Sequence, residues 1–249
     1  MQYLYKEMKT NLLNRIGLPA LMALMLFTSC CRKNPPTATV KLKLSHAVDL
    51  QPLISDTLIY QNQAGEWYSV NRLQYYISGI RFSTSAGDSV SVPGIWYIDA
   101  FDPTTLQLSL PAILQNQYSK LSFFIGLSPS ENISNSLTPT LENVNMAWPE
   151  FMGGGYHFMK WEGMVKPDTT TSGFAVHLGN NLALVHCSVQ GTFDLKSEST
   201  QTIYLKMNLN EWLRNPVVYS FKNDGNYTMG DSVLMTTIAK NGADVFTQQ

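Results

Sequence analysis

The stretch Trp148-Pro-Glu-Phe-Met-Gly-Gly-Gly-Tyr-His-Phe-Met-Lys-Trp-Glu-Gly163, followed shortly by Phe174-Ala-Val-His-Leu-Gly179, holds two of the chain's four histidines. It sets them beside Trp, Met and Glu on what read as consecutive strands. Neutral imidazole suits copper, zinc and nickel, and imidazoles from different strands converge most readily at one end of a sandwich. The chemistry on offer is transition-metal binding by His157, His177 and His46, the last closing Val40-Lys-Leu-Lys-Leu-Ser-His46. The bland alternative for any single histidine is a buried ring satisfied by a carbonyl or a carboxylate. His186 sits next to Cys187, but adjacent strand residues point to opposite faces, so the two do not share an ion. Met152 and Met159 read as adaptable packing. Glu162 either orients a ligating imidazole through its second nitrogen or, as the simpler reading, pairs with Arg81 or Lys160 at the surface.

Other chemistries find no residues. Gly153-Gly-Gly155 precedes a strand and lacks the Lys-Ser/Thr of a phosphate loop, so its role is to permit backbone conformations closed to other residues. No Gly-x-Ser-x-Gly elbow and no His-Glu-x-x-His occurs, and no catalytic nucleophile can be named; the chain reads as a non-enzymatic binder. A formal net charge of −1 with no basic run excludes the electrostatic footprint of a nucleic-acid binder. The five tryptophans raise a second class of function, a carbohydrate- or protein-binding module built on flat aromatic surfaces, although most of them are expected in the core.

These residues need elements to position them. Residues 1–29 follow the order of an export signal: Lys6, Lys9 and Arg15, then an apolar run from Ile16 to Phe27, then Leu26-Phe-Thr-Ser-Cys30. The apolar run is shorter than the roughly 20 residues of a spanning helix. Cleavage before Cys30 and lipidation of that cysteine are expected, with residues 30–39 as a Pro-rich tether. The domain, residues 40–249, would then hang from a bacterial membrane on its periplasmic side. Short runs with alternating polarity recur at 67–70, 73–83, 89–100, 120–127, 156–165, 173–178, 183–195 and 202–209, bounded by Gly, Pro, Asn, Asp and Ser. The fold class is all-β, an antiparallel β-sandwich with one or two short helices at 211–214 and 232–241. Period two puts Val40, Leu42, Leu44 and His46 on one face, and His157 on a face with Met159 and Trp161. Residues 127–147 read as a long functional loop.

The order of Asp49-Leu-Gln-Pro-Leu53, Tyr60 to Glu66, Leu73-Gln-Tyr-Tyr-Ile-Ser-Gly-Ile-Arg-Phe82, Phe123-Phe-Ile-Gly126, the Gly155–Gly163 segment and Phe174-Ala-Val-His-Leu-Gly179 resembles the MbnP-like domain family. That family is named for a periplasmic copper-binding protein associated with methanobactin operons, and the version seen here is similar to lipoprotein members from Bacteroidetes-type bacteria. The resemblance implies an extracytoplasmic β-sandwich that binds copper through histidines, with His46 and His177 as ligands and His157 third. It also implies that Trp148 is the candidate for conversion to a kynurenine ligand, and that a dihaem redox enzyme is the partner that performs the conversion.

Overall fold

The computed structural model describes residues 35–249. The signal segment and Cys30 lie outside the described residues. Residues 36–249 form one compact unit. In chain order its strands are β1 (Thr37–Val48), β2 (Gln51–Pro52), β3 (Tyr60–Gln61), β4 (Trp67–Tyr68), β5 (Arg72–Ser83), β6 (Ser89–Asp99) and β7 (Gln107–Ser109). There follow β8 (Ile113–Leu114), β9 (Asn116–Ile125), β10 (His157–Lys166), β11 (Ser172–Gly179), β12 (Val185–Leu195), β13 (Thr200–Asn208) and β14 (Phe246–Gln248).

They build two sheets, as an all-β sandwich requires. The smaller runs β14-β13-β1-β2, with β7 and β8 also pairing with β1; the larger runs β12-β9-β5-β10-β4-β3, with β6 on β5 and β11 on β10. Pairing is antiparallel except between β1 and β13, which run parallel. Local hairpins impose antiparallel order, but β1 and β13 come from opposite ends of the chain and no short turn joins them. In β1, Ala38, Val40, Leu42 and Leu44 are buried while Thr37, Thr39 and Lys43 are exposed, which is the expected alternation. The inner face of the larger sheet is aromatic and aliphatic: Tyr75, Ile77, Phe82, Phe123 and Trp161 are buried. The layers meet where Phe246 of β14 packs on Phe123 and Tyr75, with ring centroids 5.2 and 6.4 Å apart.

His46 continues the inward row of β1, as period two predicts. Its Nε2 lies 2.9 Å from the Tyr75 hydroxyl. Burial pushes the His46 imidazole down to about 4 and the Tyr75 hydroxyl up, so the hydrogen bond joins a neutral ring to a neutral phenol. His46 is thus a satisfied core histidine facing Tyr75.

The described residues include three α-helices: α1 (Leu141–Asn145), α2 (Phe221–Asp224) and α3 (Ser232–Asn241). The last was expected, and Asp231 caps it by accepting from the amides of Val233 and Leu234. The expected helix at 211–214 is a short 3-10 turn at Leu209–Leu213. Helix α1 lies inside the segment read as loop. Thr140 caps it, and its residues Leu141 and Val144 are exposed, so no apolar stripe announced it. This excursion from Leu127 to Gly155 lies across the outer face of the larger sheet, tied down where Asn143 Oδ1 accepts from the Tyr76 hydroxyl at 2.7 Å and the Tyr156 hydroxyl accepts from the Leu137 amide at 2.9 Å.

A stability experiment tests the core histidine. The folded pKa of His46 lies below the 6.5 of an unfolded imidazole, so between those values unfolded chains bind a proton that the fold refuses, and stability falls as pH falls from about 6.5 towards 4. Denaturant unfolding of His46→Gln across this window should give a pH slope shallower than wild type by up to one proton, about 1.4 kcal/mol per pH unit. An unchanged slope would mean that the ring is already charged, or exposed, in the fold.

Candidate metal centre

The outer face of the larger sheet carries a second histidine arrangement. Along β10, Met159 pairs with Tyr75 and Leu178 on the buried side, while Lys160 pairs with Gln74 and His177 on the other. His177 is therefore on the outer face, with Glu162 and Arg72. Strict alternation would send His157 inward with Met159 and Trp161, as read from the sequence. It does not, because the β10–β11 register shifts between His157 and Met159: His157 opposes Gly179 while Met159 opposes Leu178, leaving Phe158 as an extra residue. A bulge of this kind breaks alternation. It places His157 beside His177, ring centroids 5.1 Å apart at 85°.

The expected pairing of His46 with His177 is accordingly not met. His46 faces Tyr75 between the sheets, and the larger sheet stands between it and His177. His186 is exposed on β12 against Phe124, as its separation from Cys187 implied. Among the described residues, no group of three or more His, Cys, Asp and Glu side chains converges as a metal cage.

The two rings that do meet are held by their surroundings. His157 is buried, and its Nδ1 lies 3.2 Å from the Met146 carbonyl, which also accepts the His157 amide at 2.6 Å. A carbonyl can only accept, so Nδ1 carries the proton and Nε2 keeps a lone pair. Burial, then Lys160 and His177, push His157 down to about 3, and the ring stays uncharged over the physiological range. His177 Nε2 lies 2.8 Å from Glu162 Oε1, and Arg72 reaches both oxygens of that carboxylate at 2.9 Å. The hydrogen bond from His177 is the largest influence holding the Glu162 carboxyl below its ordinary value, aided by Arg72. The carboxylate fixes the proton on Nε2. His177 Nδ1 is left buried with no hydrogen-bond partner.

Trp148 closes this corner. Its indole stacks edge-on to His157, centroids 4.7 Å apart, and its Nε1 donates to the Met152 carbonyl at 3.2 Å. The ring occupies the space over Gly179, where any Cβ would stand 2.2 Å from Trp148 Cε3. Pro149 and the glycines make the turn that brings it there: Gly153, Gly154 and Gly155 have φ of 107°, 66° and 84°, the left-handed region. Asn132 and Ser134 anchor this turn, accepting from the amides of Tyr156 at 2.9 Å and Gly155 at 2.8 Å.

Residues that the sequence did not single out complete the frame. Arg72, rather than Arg81 or Lys160, is the partner of Glu162; Lys160 donates instead to the Asn145 carbonyl. Thr228, fully buried, clasps the backbone of His177 by accepting its amide proton at 2.8 Å and donating to its carbonyl. The chain leading to Thr228 starts at a buried carboxylate, Glu66, which accepts from Asn62, the Ser220 hydroxyl and the amides of Phe221 and Lys222. Only the strand register could have disclosed Arg72 opposite Glu162. Thr228 gives no sequence signal at all.

A buried ring nitrogen without a partner, beside the neutral imidazole of His157 whose Nδ1 is also committed, is the feature of this corner that the packing of the sheet does not account for. Comparison with known proteins agrees with the fold on which this corner is built. The MbnP family profile matches residues 37–230. No curated protein matches the chain. The solved structure of MbnP from Methylosinus trichosporium superposes with a TM-score of 0.50 at 17% identity, over 73% of this chain and 79% of that one. The chain belongs to the MbnP family.

Proposed function

We propose that this protein is a non-enzymatic metal-binding lipoprotein, exported, anchored through Cys30 on the periplasmic side of a bacterial membrane, that takes up copper at His157 and His177. The observation that carries the reading is the buried, unpartnered Nδ1 of His177 next to the neutral ring of His157. A buried polar atom without a partner costs about 1–3 kcal/mol, and a bound ion would remove that penalty. Glu162 acts behind the ligand: it fixes the tautomer and makes the ring a better donor. Copper is favoured because imidazole sites follow the order in which Cu(II) outranks its neighbours, and because a copper-binding protein gives the family its name. The two imidazoles leave further coordination positions to water or an incoming ligand. His46, implied by the family resemblance, supports the core from the far side of the sheet. Trp148 shields the corner, and its conversion by a dihaem enzyme would require the buried indole to be exposed first.

Copper titration of the purified chain tests this directly. Wild type should bind one equivalent, His157→Ala and His177→Ala should each lose high-affinity binding, and His46→Gln should retain it. Equal stoichiometry in wild type and in the His157→Ala/His177→Ala double variant would remove the site. Glu162→Gln keeps the shape but weakens the carboxylate contact, so affinity should fall by about 10–100-fold with the protein still folded. Gly179→Ala should collide with Trp148, destabilise the fold by about 1–3 kcal/mol and shift the tryptophan emission; an unaltered denaturation midpoint would show that the indole does not rest on the strand.

A further inference from the structure

A broad concavity lies elsewhere on the same sheet. Its outer face is divided: the Leu127–Gly155 excursion covers the part bearing the metal corner, while the part formed by β6, β5, β9 and β12 is bare, a trough of about 850 Å³. Its floor follows from the register. Ser91, Arg81, Ser122 and Ser188 stand in one row across four strands, and Lys120 lies one row on, opposite Ser83. At one end the Phe124 ring lies over Gly79, whose φ of 59° and missing Cβ leave it room: a Cβ there would be 2.5 Å from the ring. The exposed His186 imidazole abuts Phe124 with centroids 4.7 Å apart.

Charge decides what this trough fits. Among the described residues neither Arg81 nor Lys120 takes part in an ion pair, although Arg72, Lys196, Arg214 and Lys222 all do. Ser91 and Ser188 likewise donate no side-chain hydrogen bond within the described residues. The carboxylate that borders the trough, Glu131, is already engaged by the amide and hydroxyl of Ser128. Two uncommitted cations over hydroxyls, ending in an aromatic ring, match a ligand that combines carboxylates with hydroxyls and flat C–H faces. We infer that this trough binds an acidic oligosaccharide, with Arg81 and Lys120 on its carboxylates, the serine row on its hydroxyls and Phe124 against a sugar face.

The charged contacts should dominate, since hydrogen bonds to charged groups contribute about 1.5–3 kcal/mol each. The test is calorimetric titration of the full-length chain with an α-1,4-linked galacturonic acid tetramer and with its fully methyl-esterified form. The acid should bind in a salt-dependent manner, the ester about tenfold more weakly or worse, and Arg81→Gln/Lys120→Gln should lose at least as much while keeping the wild-type melting temperature. Phe124→Leu should weaken the acid severalfold and leave the salt dependence intact. The inference is overturned if the tetramer does not bind, if ester and acid bind alike, if the Arg81→Gln/Lys120→Gln variant binds as wild type does, or if inorganic phosphate at equal concentration displaces the acid completely, which would mark a simple anion site. Copper stoichiometry has no bearing on any of these outcomes, so this surface stands or falls apart from the metal corner.

Discussion

One extra residue in a strand governs the organisation of the outer face. Were β10 to keep its ladder through Phe158, His157 would point between the sheets with Met159 and Trp161, and His177 would lose it as a neighbour. The bulge turns His157 out and leaves the inward row unbroken from Met159 onwards, so site and core do not compete for the same positions. It has a structural cost: the residue it frees must be covered. Phe158 is fully buried and packs on Gly126, where a Cβ would come within 2.5 Å of the ring. The glycine at the end of β9 and the bulge in β10 are thus two sides of one fit, and the excursion that follows Gly126 is the lid laid over them.

The strands were legible because their chemistry repeats every two residues, and a sandwich of two such sheets follows once each has an apolar face. His46 could be placed for the same reason: Val40, Leu42 and Leu44 define its side of β1. The metal corner was only half legible. Types and neighbourhood picked out His157, His177, Trp148 and Glu162, but the choice of which histidines meet depended on a register shift that no local pattern encodes. Period two gave the wrong face for His157, while the pairing of His46 with His177 came from the family resemblance and not from any pattern in the strands. The parallel β1–β13 pair and the clasp of Thr228 on His177 escaped for a related cause, since each depends on chain segments far apart in sequence. Helix α1 escaped because its five residues bury no stripe.

The polar frame around the two rings explains why a sheet surface can keep a histidine nitrogen vacant. Ordinarily a buried donor or acceptor finds a partner because nearby loops relax towards it. Here each neighbour is committed elsewhere. Met146 and Asn145 offer their carbonyls to His157 and Lys160, Glu162 is shared between His177 and Arg72, and Thr228 spends both its hydroxyl functions on the backbone of His177. Glu66, four times hydrogen-bonded, holds the segment that delivers Thr228. His177 Nδ1 is left without a partner because each of these neighbours is already engaged.

That frame also sets the charge of whatever enters. Burial keeps the His157 ring uncharged; the carboxylate behind His177 is already matched by Arg72, and Lys160 adds a further cation on the same face. An ion bound as proposed would shed water without gaining an anionic ligand from the protein. The penalty for moving a charge out of water rises with the square of that charge, so the surroundings weigh more heavily against a divalent than a monovalent ion. The preference of imidazole for Cu(II) over other divalent metals is intrinsic to the ligand; the local charge acts against it and in favour of the reduced ion. A divalent ion would have to bring an anion of its own into the open coordination positions, whereas Cu(I) could be held by the two rings alone. On the copper reading proposed above, the charges of Arg72, Lys160 and Glu162 would weigh against Cu(II) unless it carried an anion in with it, a distinction that ligand identity by itself does not make.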